Sequence, residues 1–101
     1  MGKSKLEQSL IRQLQEKGAD VAHFRSLIRD YIWMNSQVQA MKRSIRKEGR
    51  TYQAVSAAGK AYEKENPAVK NLILYSRQMI AILREMGLTT ENAVSEEDDE
   101  L

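Results

Sequence analysis

Two stretches of this chain place apolar residues at alternating steps of three and four, a spacing that suits helices packed along a shared seam. In the first, Phe24, Leu27, Tyr31, Met34, Val38, Met41 and Ile45 occupy successive heptad a and d positions. In the second, Val69, Leu72, Ser76, Met79, Leu83 and Met86 take the same steps. A half-buried strand would need a period of two, which neither stretch has. The flanking residues mark the helix ends. Asp20 is a preferred N-cap and Gly49 a stop, so the first stretch predicts a helix over 21–48. Asn66 caps the second, and Pro67 takes the first helical position, where its missing N–H costs nothing. Gly87 suits a left-handed position after the last turn, with Leu88 folded back on Leu83, so this helix spans 67–86. A shorter helix over about 5–17 opens with Ser4 and Glu7 at capping-box spacing. It carries Leu6, Leu10, Ile11 and Leu14 as a narrow stripe and stops at Gly18.

Ile28 and Ile32 widen the stripe of the long second helix, and Ile73 and Ile80 are expected to widen that of the third. Matched seams on two long helices predict an antiparallel helical hairpin. The segment between them holds Thr51, Tyr52 and Val55, then Ala58-Gly59-Lys60, which can turn, then Ala61-Tyr62-Glu63. This predicts a small β-hairpin, although Ala54, Ala57, Ala58 and Ala61 would also suit a frayed helix. The fold class is therefore mainly α: a long helical hairpin with a short N-terminal helix and a possible small β-hairpin between the long helices. Ile32, Trp33, Tyr75 and Ile82 fall off the main seams. Either they stay exposed and mark a contact between subunits, which favours an oligomer, or they pack against the first helix.

The net charge of +2 hides a segregation. Glu96, Glu97, Asp98, Asp99 and Glu100 form an acidic run, and setting those five aside leaves 16 basic against 9 acidic residues, or +7 for the body. Residues 1–91 are expected to form a single helical domain and residues 92–101 an acidic disordered tail. That tail has two readings: it binds a basic surface, or it is solubilising and inert. A basic body suits a polyanionic partner.

The residues for catalysis are scarce. There is no Cys to serve as nucleophile or metal ligand. The single histidine, His23, sits beside Phe24 near a helix start, where such a residue is usually structural or solvent-facing. No Gly-rich loop leads into Gly-Lys-Ser/Thr, so the phosphate cradle of a P-loop ATPase is missing. Glu63 and Glu65 have no metal-ligand companions. The reading is a protein that is not an enzyme, uses no cofactor and no metal, and has no membrane partner, since no apolar run approaches the roughly 20 residues of a span.

The candidate binding chemistry is the run Lys42-Arg43-Ser44-Ile45-Arg46-Lys47-Glu48-Gly49-Arg50. On a helix, Lys42, Arg43, Arg46, Lys47 and Arg50 form a broad basic band beside the seam residue Ile45. Such a band can neutralise phosphates without reading bases. The competing reading is a helix end whose cations merely complement the C-terminal dipole. Lys3, Lys5 and Arg12 make a weaker second patch. Tyr52 and Tyr62 could stack on a base or sugar, but as residues of a hairpin they are expected mainly to pack it. No compact helix-turn-helix is evident at Gly18-Ala19.

Over residues 65–89 the chain resembles phage terminase small subunits whose last helix opens with Asn-Pro-Ala-Val-Lys and closes with a Gly-Leu-Thr run. Asn66, Pro67, Ala68, Val69, Lys70, Gln78, Met79, Leu83, Gly87, Leu88 and Thr89 carry the likeness. The chain departs from the pattern after Thr89, where acids replace the usual Pro-Ser and basic residues. The resemblance implies a ring-forming, non-catalytic component that recognises double-stranded viral DNA and regulates a large ATPase/nuclease subunit during genome packaging in the host bacterial cytoplasm. It also favours DNA contact through the five cations near Ile45. The alternative is a coiled-coil adaptor or regulatory interaction module that binds no nucleic acid.

Overall fold

The computed structural model describes residues 3–88. The expected domain boundary at 91 and the acidic run beyond it lie outside the described residues. Three helices and one β-hairpin follow in order. Helix α1 spans Lys5–Glu16, a single 3₁₀ turn spans Val21–Phe24, and α2 spans Arg25–Glu48. Strands β1 (Thr51–Val55) and β2 (Ala61–Glu65) come next, and α3 spans Pro67–Glu85. Helices α2 and α3 run antiparallel as the seams require, in a molecule 61 Å long and 26 by 22 Å across.

Local chemistry marks each helix end. The Ser4 hydroxyl accepts from the Glu7 N–H at 3.1 Å, and the Asn66 side-chain oxygen accepts from the Ala68 N–H at 3.0 Å. At the end of α3, the Leu88 N–H donates to the Leu83 carbonyl at 2.8 Å and the Gly87 N–H to that of Arg84 at 2.9 Å, with Gly87 at φ +71°. This is a Schellman ending, and it carries Leu88 into the core beside Leu83. The end of α1 repeats it: Ala19 donates to Leu14 at 2.9 Å and Gly18 to Gln15 at 3.0 Å. The start of the long helix departs from the expected α geometry. Asp20 caps it, accepting from the Ala22 N–H at 3.0 Å, but the His23 N–H reaches back only three residues, to Asp20, at 3.1 Å. Its first turn is therefore the tighter 3₁₀ form.

The core is concentrated at one end. Leu6, Leu10 and Leu14 of α1 meet Ile28 and Tyr31 of α2 and Ile82, Leu83, Met86 and Leu88 from the end of α3. Towards the other end, Met41, Ile45, Val69 and Leu72 are only half-buried. Two assignments along α3 change. Ile73 and Ile80 do not widen the seam; they are 50 % and 39 % exposed. Ile82, expected off the seam, is buried. The reason is that α1 brings its three leucines to the flank of the helical hairpin on which Ile82 lies, so the stripe widens on that side. Ile32 packs against the same cluster. Trp33 stays exposed, with its ring tilted over that of the half-buried Tyr75 at a centroid distance of 6.0 Å.

The segment between α2 and α3 is the antiparallel hairpin, not a frayed helix. Thr51 pairs with Glu65 and the register runs to Val55 with Ala61. It projects from the end of the helical hairpin opposite the core.

Candidate nucleic-acid interface

The far end of the molecule is assembled around Asn66, which is buried. Its side-chain oxygen caps α3. Its Nδ2 donates to the Gly49 carbonyl at 3.0 Å and to the Ser44 hydroxyl at 3.3 Å. Its backbone N–H donates to the Arg50 carbonyl at 2.7 Å. One residue therefore ties the last turn of α2, the first residue beyond it and the start of α3. Gly49 makes the tie possible. At φ 85° and ψ 177° it occupies a region that is essentially restricted to glycine, and it turns the chain from helix into strand.

That anchor fixes the basic band. Arg43, Arg46, Lys47 and Arg50 are exposed and Lys42 is half-buried. At about 100° per residue, Lys42, Arg46, Arg43 and Lys47 fall within an arc of about 140° on α2. Arg50 follows directly after Gly49. None of the five makes a side-chain hydrogen bond or ion pair with another described residue. The four on α2 thus share one side of the helix near its end, Arg50 follows two residues past that end, and the seam residue Ile45 is half-buried. Such a surface offers to a polyanion several cations that are unpaired among the described residues.

The other sites sort differently. Lys3, Lys5 and Arg12 lie on or before α1, at the core end, and share no surface with the band. A shallow cleft of about 250 Å³ there is lined by Lys3, Arg25 and Arg29, with Glu7 among them, so its charge is mixed. His23 packs edge-on to the Phe24 ring at a centroid distance of 5.0 Å. Among the described residues no group of three or more acidic or histidine side chains is placed to hold a metal ion. No helix among them is long and apolar enough to cross a membrane. Asn66 has a larger part than its sequence signal as an N-cap revealed. The links to Gly49 and Ser44 are long-range, and no local pattern announces them.

A family model described as the small subunit of phage terminase matches residues 8–96. The chain belongs to the phage terminase small-subunit family. No curated protein and no solved structure matches it. The matched stretch takes in all of α2, the β-hairpin and α3, and most of α1, so both the helical scaffold and the basic end of this terminase small subunit belong to the family region. Membership gives the protein a role in phage DNA packaging. Within a terminase, the small subunit is generally the non-catalytic component.

Proposed function

We propose that this terminase small subunit is the DNA-recognition component of the packaging machinery, gripping double-stranded viral DNA through Lys42, Arg43, Arg46, Lys47 and Arg50. In this reading it works as a homo-oligomeric ring in the host bacterial cytoplasm. It regulates the large subunit, which supplies ATP hydrolysis and strand cleavage. The observation that carries the DNA contact is the clustering of five cations, none of them paired within the described residues, on one end of an elongated subunit.

Assembly is supported by apolar surface that the subunit leaves uncovered. Ile73, Leu74 and Ile80 of α3 are 50 %, 58 % and 39 % exposed, and Trp33 is 54 % exposed. That is more large apolar surface than a small helical monomer usually shows to water.

The test is the salt dependence of DNA binding. Each phosphate neutralised contributes about 0.9 to the slope of log K against log salt. A variant with glutamine at all five positions should bind far more weakly, with the slope reduced by about 4.5. Wild-type affinity and slope in that variant would remove the assignment, and a protein that sediments as a monomer at micromolar concentration would remove the ring.

A further inference from the structure

The register of the β-hairpin sorts its charges completely by face. The Asn66 N–H to Arg50 carbonyl bond and the Ser56 N–H to Lys60 carbonyl bond extend the ladder by one pair at each end. Alternation then places Arg50, Tyr52, Ala54 and Ser56 on one face with Lys60, Tyr62 and Lys64. The opposite face carries Thr51, Gln53, Val55, Ala61, Glu63 and Glu65. The first face has three cations and no anion, and the second has two anions and no cation. Directly opposed residues form no ion pair: Lys64 faces Tyr52, and Glu63 faces Gln53. A ribbon needing only solubility and cross-strand support would gain from mixing the two signs.

We infer that the hairpin is a second DNA-contacting element, laid on the duplex through the face that bears Arg50, Tyr52, Lys60, Tyr62 and Lys64. This rests on the proposed DNA binding and extends it to a part of the molecule that the α2 band does not include. Tyr52 and Tyr62, expected to pack the hairpin, are 37 % and 45 % exposed, and every residue of β2 is exposed. The two rings sit diagonally on the basic face. A phenol there offers an apolar plate for a sugar and a hydroxyl for a phosphate, the pairing an amphipathic aromatic provides at a wet polyanionic surface. Arg50 ends the basic run that begins on α2 and opens this face, and Asn66 holds the base of the hairpin against the end of α2.

The dimensions agree. Two strands about 4.8 Å apart make a ribbon narrower than the major groove, which is about 12 Å wide and admits a two-stranded ribbon. A second copy of the chain, pairing along a free strand edge, is the competing occupant. On β2, Glu63, Lys64 and Glu65 oppose that contact, because lysine and glutamate on an edge discourage strand addition, and only the five-residue uncharged edge of β1 is left for it.

The experiment measures binding of a short fluorescein-labelled random-sequence duplex by anisotropy across a salt series, using the full chain. Lys60→Gln with Lys64→Gln should lower the slope by about 1.8, two contacts at about 0.9 each. Lys60→Arg with Lys64→Arg should keep the wild-type slope. Tyr52→Ser with Tyr62→Ser should weaken binding several-fold at every salt concentration and leave the slope unchanged. Glu63→Gln with Glu65→Gln, on the other face, should not reduce binding. The inference is overturned if the lysine and tyrosine variants bind as wild type while glutamine at Lys42, Arg43, Arg46 and Lys47 abolishes binding; the proposed function then survives. If the α2 variant also binds as wild type, both fall. The inference is equally overturned if the hairpin variants lower the sedimenting mass without DNA and leave the slope intact, since the face would then join subunits.

Discussion

The Asn66 side-chain nitrogen donates to the Gly49 carbonyl at 3.0 Å and so joins the end of one long helix to the beginning of the next. The bond is part-buried, and Asn66 caps α3 with its other side-chain atom. Asn66→Ala removes the cap, worth about 1 kcal/mol. It also strips the Gly49 carbonyl of a partner in a part-buried place, a further 1–3 kcal/mol or so. Asn66→Asp keeps an oxygen for the cap and favours the positive end of the helix, but it cannot donate. Urea unfolding followed by circular dichroism should rank wild type above Asn66→Asp and Asn66→Asp above Asn66→Ala. Equal stability of all three would show that the tie contributes nothing.

That tie marks the boundary between what was legible in the sequence and what was not. Caps, stops and seams are local signals: Ser4, Asp20, Asn66, Pro67 and Gly87 each act on neighbours a few residues away, and they announce the helices and their ends. The hairpin was only half legible: Gly59 lies between two short runs suited to strands, but Ala54, Ala57, Ala58 and Ala61 also suited a frayed helix. Which flank of α3 is buried is different. Ile80 and Ile82 are both isoleucine, two residues apart, and the helix has room on either side of its seam. Only the docking of α1 decides between them, and that docking is a tertiary event with no local signature. The basic run was visible in the sequence, but the tie that Asn66 makes between the end of α2 and the base of the hairpin was not.

The choice between Ile80 and Ile82 is measurable. Ile82→Ala removes a buried side chain from the cluster that holds Leu10 and Leu14, and should cost about 2–5 kcal/mol. Ile80→Ala removes one that is 39 % exposed and should cost under about 1 kcal/mol in a dilute, monomeric sample. If the two costs were equal, or reversed, α1 would not lie on the flank described.

Gly49 and Gly18 offer a clean comparison of backbone strain. A methyl group at Gly18 meets nothing within 4 Å, and one at Gly49 meets only the Thr51 carbonyl oxygen at an ordinary 3.5 Å. Space is therefore not the issue at either position. Gly18 sits in a Schellman turn, in the left-handed region that other residues enter at about 1–2 kcal/mol. Gly49, with ψ near 177°, lies where side-chain-bearing residues scarcely go. Gly49→Ala should destabilise more than Gly18→Ala in thermal unfolding. It should also weaken DNA binding, because it disturbs the junction that places Arg50, whereas Gly18→Ala should leave binding intact.

Trp33 is a built-in reporter of assembly. It is the single tryptophan of the chain, it is 54 % exposed, and it lies beside Tyr75 on the outside of the helical hairpin. Subunits that associate through the uncovered apolar surface of α2 and α3 should shield it. Its emission should move to the blue as protein concentration rises, and acrylamide quenching should fall in parallel with the increase in sedimenting mass. Replacing Ile73 and Leu74 by serine should leave the subunit folded, since both side chains are at least half exposed, yet shift the assembly midpoint to higher concentration. Each buried aliphatic side chain contributes about 1.5–3 kcal/mol when fully covered, so even partial covering of two should move that midpoint at least tenfold. A spectrum and quenching constant unchanged across the full mass transition would place the subunit contact elsewhere, away from Trp33.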